Sequence, residues 1–148
     1  MSNTKNTKIV AGFPGVGKTF FAANSSLDVA DSDNSLFSKS EDFPENYIEH
    51  IKSLMGKKDV IMVSTHKEVR QALVDHGLPF ILVYPTRDQK EAYLSRFRER
   101  GCSEQFIELL GNNFYRWTNE LTWQRGCTHV LLQEGEYLSD REYWIKNV

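Results

Sequence analysis

Short uninterrupted apolar runs alternate along the chain with longer stretches in which apolar residues recur every three or four positions. The runs at Lys8–Ala11, Asp59–Val63 and Phe80–Tyr84 read as strands, with shorter ones at Leu27–Ala30 and Thr128–Leu132. Val60 to Val63 and Phe80 to Tyr84 lack the alternation of a half-exposed strand, so they are expected to be buried on both faces. Between them lie helical patterns. Gly17 to Asn24 carries Phe20, Phe21, Ala22 and Ala23. Pro44 suits a helix's first turn, and Tyr47, Ile48, Ile51, Leu54 and Met55 follow it up to Gly56. Val69, Leu73 and Val74 mark the next helix, closed by Gly77. Thr86 and Gln89 have the spacing of a capping box, ahead of a helix with Ala92, Tyr93, Leu94 and Phe97 on its apolar side and Gly101 at its end. Ser103 opens a longer helix, with Phe106, Leu110, Phe114, Trp117 and Leu121 in register and Gly126 as its stop. Ser139 to Lys146 is a last short helix. Met1–Thr7 is polar and expected to fray; Ser35–Asp42 reads as a polar loop. Strand and helix alternate throughout, which predicts a parallel sheet covered on both faces, a three-layer α/β domain spanning 1–148 as one unit.

Composition narrows this little. The 148 residues are 40% hydrophobic and 26% charged, ordinary globular values, and one core of this size is sustainable. Lys+Arg 18 against Asp+Glu 20 leaves −2, which argues against a binder of long nucleic acid. No apolar run approaches the ~18 residues of a membrane span, and Met1 to Lys8 has no apolar signal region. Cys102 and Cys127 form neither a disulfide framework nor a metal-binding series. A soluble protein of a reducing, cytoplasmic compartment is expected, without a membrane partner.

One motif carries chemistry. Gly12-Phe13-Pro14-Gly15-Val16-Gly17-Lys18-Thr19 matches G-x-x-x-x-G-K-[ST] in full, after the first strand and opening the first helix. Glycines let successive backbone N–H groups turn toward phosphate oxygens, and the helix start adds partial positive charge. Gly12, Gly15, Val16, Gly17, Lys18, Thr19 and Phe20 are the candidate nucleotide contacts. Lys18 is placed to reach the β- and γ-phosphates of ATP, and the Thr19 hydroxyl to ligate Mg²⁺.

With Asp31-Ser32-Asp33 at the end of the second strand, this motif resembles the small P-loop kinases: the shikimate, gluconate and nucleoside-monophosphate kinases. The resemblance extends through Pro85–Gly101, where Arg96 and Arg100 fall on a helix like the one leading into the adenylate kinase lid. It implies a P-loop NTPase fold with a five-stranded parallel sheet in order 2-3-1-4-5, ATP with Mg²⁺ as donor, and a small-molecule acceptor between strands two and three. It also places an adenine loop near Glu134–Tyr137. The third strand departs from the family: it runs into Ser64-Thr65-His66, with no Walker B carboxylate and no Gly-Phe-Pro-Arg acceptor stretch.

Read on their own, Asp31 and Asp33 are carboxylates at the ligand-binding edge of a parallel sheet. One could hold the metal and the other orient an acceptor hydroxyl. Asp31 is assigned to the metal and Asp33 to the acceptor, without the order being fixed. Arg96 and Arg100 share a helix face, able to brace a transferring phosphoryl group and the adenine, while Arg98 points elsewhere. Ser64 and His66 are candidate acceptor contacts, with His66 either polarising the acceptor or capping the next helix. Arg116 is a further candidate, if it faces back into the site. For Lys67 and Arg70 a solvated helix face is preferred over contact with an acceptor anion. Trp117 and Trp123 read as core, and His50, His76 and His129 show no metal spacing.

The expectation is thus an ATP-dependent phosphotransferase acting on a nucleoside monophosphate or similar molecule. A shikimate- or gluconate-like metabolite, a polynucleotide 5′ end, or a non-enzymatic nucleotide-gated module are the alternatives. The guanine motif Asn-Lys-x-Asp and the Asp-x-x-Gly of GTPase switches are absent.

Overall fold

The computed structural model describes residues 6–31 and 44–147. Its strands are β1 (Lys8–Gly12), β2 (Val29–Asp31), β3 (Val60–Val63), β4 (Phe80–Pro85) and β5 (Cys127–Leu132). Its helices are α1 (Lys18–Asn24), α2 (Glu45–Leu54), α3 (Lys67–Asp75), α4 (Lys90–Glu99), α5 (Glu104–Thr122) and α6 (Glu142–Asn147), with 3₁₀ turns at Arg87–Gln89 and Leu138–Arg141. The expected α/β organisation is observed: one all-parallel five-stranded sheet in the order β2-β3-β1-β4-β5.

The central strands follow from their composition. Every residue of β3 and β4 is buried, as their unbroken apolar runs require. β1 lies between them, Ile9 opposite Ile61 and Val10 opposite Ile81, so the loop that follows it starts at the middle of the sheet's C-terminal edge. β5 departs from the expected pattern. It is an edge strand whose Thr128, His129 and Leu131 face out while Val130 and Leu132 face in. As an edge strand it meets water, so the consecutive polar residues Thr128 and His129 are tolerated there.

Other boundaries moved for local reasons. β2 is three residues, two later than its apolar run begins, because the Asp28 carbonyl accepts from the Asp59 and Val60 amides ahead of the ladder. Thr7 does not fray: its Oγ1 donates to the Lys58 carbonyl at 2.5 Å and accepts from Gly56 N. The Thr86–Gln89 capping box does not form. The Gln89 amide donates instead to Thr86 Oγ1 and, across the fold, to the Leu132 carbonyl, and a 3₁₀ turn precedes α4. Ser103 caps α5 as its position implies, accepting from Phe106 N. Trp123 is not core: it sits one residue past the end of α5 and is 76% exposed. Ala92 and Val74 also face outward.

α2 and α3 are joined through His76, whose ring meets Glu45 at 2.9 Å and Lys52 at 3.0 Å. The C-terminal end returns to α1, where Ser25 Oγ donates to Glu142. Among the described residues no helix is long and apolar enough to cross a membrane. Asp33 and the polar segment Ser35–Asp42 lie outside the described residues.

Candidate functional site

The segment from Gly12 to Thr19 leaves β1 and turns into α1. Phe13 anchors it. Its N–H donates to the Val83 carbonyl, and its buried ring packs edge-on against Phe114 at 5.6 Å and Tyr93 at 6.1 Å. With Phe13 fixed, the next residues must reverse direction within one turn. Gly15 and Gly17 do so at φ of 90° and 92°, a conformation that any side chain would strain. A Cβ on Gly12 would come within 2.9 Å of the Lys18 side chain, so that chain lies back across the loop.

The loop is then tied from two directions. Val16 is fully buried, and its carbonyl accepts from Leu138 N at 2.8 Å. Arg96, from α4, donates to the Gly15 carbonyl at 2.7 Å and to the Glu136 carbonyl at 3.2 Å. Its guanidinium lies between two rings, 4.3 Å from the centre of Tyr93 and 3.9 Å from that of Tyr137. Glu136 is itself held by Arg141 and Gln133 N, and the Arg141 hydrogen bonds keep its carboxyl below the usual carboxylate range. Tyr93 has no hydrogen-bond partner for its buried hydroxyl. Burial pushes that group up to about 12, with the Arg96 charge pulling part of the way back.

Above the loop opens a cavity of about 1190 Å³. Gly12, Gly15, Gly17, Lys18, Thr19 and Phe20 line one end of it, Thr19 and Phe20 being exposed. Ser64 and His66 line it from the end of β3, with His66 Nδ1 2.9 Å from Ser64 Oγ. The alternative in which the His66 side chain caps α3 is not observed: it occupies the cap position but makes no cap bond. Arg96 and Arg100 both face the cavity and Arg98 does not, as their spacing implies. Arg100 lies over the Phe97 ring at 5.1 Å.

Three expectations are corrected or left aside. Arg116 turns along its own exposed helix face to Asn113 Oδ1 at 2.5 Å and is not part of the cavity wall. Asp31 ends β2 as expected, but it is exposed and is not among the described residues that line the cavity. Asp33 falls outside the described residues.

Arg70 reverses its preferred reading. It is 6% exposed rather than solvated and lines the cavity. Its Nε donates to the Thr65 carbonyl and its Nη1 to Gln124 Oε1, while Nη2 stands 3.7 Å from Glu120. Desolvation draws its pKa down, opposed by the Glu120 charge. Phe106, Trp117 and Glu120 of α5 also line the site, and Tyr137 does so from the segment that follows β5. The helical period of Phe106 and Trp117 reads equally as core, and only the position of α5 over the sheet edge separates the two.

The donor set suits a polyphosphate: a glycine turn that any side chain would obstruct, a lysine over it, and an exposed threonine hydroxyl. For Mg²⁺ the exposed Thr19 hydroxyl would be one ligand, with phosphate oxygens and water among the others, an arrangement usual for this ion. Among the described residues no group of three His, Cys, Asp or Glu side chains is placed to hold a metal by itself. Comparison with protein-family models and with curated proteins finds no match.

Proposed function

We propose that the chain is a small P-loop kinase that transfers the γ-phosphate of ATP to a small acceptor, a nucleoside monophosphate or a nucleotide-like molecule. One observation carries the reading. The full Gly12–Thr19 motif leaves the central strand of a parallel 2-3-1-4-5 sheet, and it opens into a cavity larger than the 300–1,000 Å³ usual for one ligand. There is room for a triphosphate and a second molecule.

The roles follow from position. Backbone amides of the loop and Lys18 would hold the β- and γ-phosphates, and the Thr19 hydroxyl would be a protein ligand for Mg²⁺, which would supply positive charge to the transferring phosphate. The acceptor oxygen attacks the γ-phosphorus in line, the bond to the β-phosphate oxygen breaks, and ADP leaves. Arg96 and Arg100 supply positive charge from the α4 side. Ser64 and His66 are the hydrogen-bonding pair nearest the acceptor. β3 ends without a carboxylate to activate water, which suits transfer over hydrolysis.

The decisive experiment is a calorimetric titration of ATP·Mg²⁺ into the protein and into Lys18→Ala, followed by mass-detected transfer onto nucleoside monophosphates, hydroxy acids and 5′-hydroxyl oligonucleotides. Lys18→Ala is expected to lose most of the affinity with an unchanged melting temperature. Equal binding by both proteins would sink the proposal.

A further inference from the structure

The α5 wall of the cavity has chemistry of its own. Phe106, Trp117, Glu120 and Leu121 share one face of α5 by their spacing, and all four line the cavity. Trp117 is partly buried, and Phe106 is fixed edge-on against Phe97 at 4.9 Å. Trp117 and Phe106 thus present aromatic surface to the cavity, with Glu120 beside them. Arg70 adds the only strongly buried charge among the described cavity residues. Two of its nitrogens hold Thr65 and Gln124. The third, Nη2, meets Glu120 at 3.7 Å, too long for a hydrogen bond. A guanidinium keeps its charge even where it is buried. Glu120 has a side chain 48% exposed and can turn to water readily.

We propose that this compartment seats the acceptor and that it selects a planar ring carrying an anionic group. The ring lies against the aromatic surface of Trp117 and Phe106; the phosphate or carboxylate takes Arg70 Nη2 in place of Glu120. A ringless sugar phosphate leaves the aromatic wall uncovered, and a neutral nucleoside leaves Arg70 on Glu120, so each alone binds more weakly. The inference depends on the phosphotransferase reading only for what is done to the bound molecule.

The test uses the full chain with Trp123→Phe and Trp144→Phe, so that Trp117 is the sole tryptophan. The probes are thymidine and adenosine 5′-monophosphate, phenyl phosphate, ribose 5-phosphate and adenosine. Phenyl phosphate against the nucleotides tells whether a bare aryl anion suffices. The ring-bearing phosphates are expected to quench Trp117 saturably and to bind at least tenfold more tightly than ribose 5-phosphate or adenosine. Arg70→Lys should weaken the phosphates about tenfold and leave adenosine unchanged, whereas Glu120→Gln should tighten them several-fold. That opposite sign separates an anion seat from a structural ion pair, and if Arg70→Lys fails to fold, Glu120→Gln decides. By calorimetry Trp117→Ala should lose the preference for rings and Trp117→Phe should keep it. Ribose 5-phosphate binding as tightly as a nucleotide, weakening by both Arg70→Lys and Glu120→Gln, or no quenching at millimolar probe would overturn the inference. ATP binding that depends on Lys18, with Trp117 silent to every acceptor probe, overturns this inference alone. Saturable quenching without Lys18-dependent ATP binding supports the seat and overturns the phosphotransferase reading alone.

Discussion

The guanidinium of Arg96 lies 3.9 Å from the centre of the Tyr137 ring while its Nη1 donates to the Gly15 carbonyl. One side chain of α4 thereby joins the glycine turn to the segment after β5. An arginine expected to act on phosphate is also a clamp on the glycine turn.

Removing that clamp should show in stability as well as in turnover. Arg96→Ala deletes two charge-assisted hydrogen bonds in a partly buried place and is expected to cost about 2 kcal/mol, read from the denaturant midpoint. Turnover should fall ~10²-fold or more. Arg98→Ala, outside the cavity, should change neither by much; three alanine variants at positions 96, 98 and 100 that behave alike would contradict the assignment.

The turn itself is sensitive to a single methyl group. Gly17 has φ of 92°, and a Cβ there would sit 3.2 Å from the Tyr137 ring. Gly135 has φ of 79° with nothing within 4 Å. Gly135→Ala should therefore cost only backbone strain, about 1–2 kcal/mol. Gly17→Ala should cost more and weaken ATP binding too. Chemical denaturation of the two variants side by side checks the difference.

Alkaline pH should destabilise the fold through Tyr93. Its hydroxyl is pushed from 10 up to about 12 when folded. Above pH 10 the unfolded chain releases this proton and the folded one retains it, so stability is lost as pH rises from 10 to 12. The loss is at most about 2–3 kcal/mol. Tyr93→Phe removes an unpartnered buried hydroxyl, so it should be neutral or stabilising at pH 7 and should flatten the alkaline limb. A steeper limb in the variant would contradict this.

Cys127 should be a slow thiol. Burial pushes it up to about 11, with Arg70 pulling partly the other way. In a Cys102→Ser background, alkylation by iodoacetamide at pH 8 should be far slower than for a free thiol and should climb until pH 11. A rate already on its plateau at pH 8 would show that the thiol is not shielded.

Much of the architecture is legible in the apolar pattern. β3 and β4 are continuous runs because both faces are covered, and the glycine turn is recognisable because its backbone can be built in few ways. The less legible parts share a physical cause. Trp117 and Trp123 have the same residue type but stand six positions apart, about 120° around a helix. One lines a cavity and the other faces water, because α5 ends at Thr122. Arg70 looks like a polar helix residue until the C-terminal end of α5 covers it, a contact made with Glu120 and Gln124 far along the chain. Arg96 and Arg100 share the cavity-facing side of α4, which is legible because helical spacing is local. Arg116 has the same chemistry but meets Asn113, three residues away.

The Leu138 N–H that closes on Val16 has a consequence for the order in which the fold sets. Two fastenings of the Gly12–Thr19 turn, Leu138 and the Arg96–Glu136 pair, come from the segment that follows β5, far along the chain from the turn itself. The whole sheet can assemble while that segment is still undocked, and the turn is then slack on that side. Rigidity of the turn arrives in one step, when the segment after β5 docks, rather than growing strand by strand. A cut between β5 and Leu138 would leave the sheet in place and loosen the turn at its opposite end.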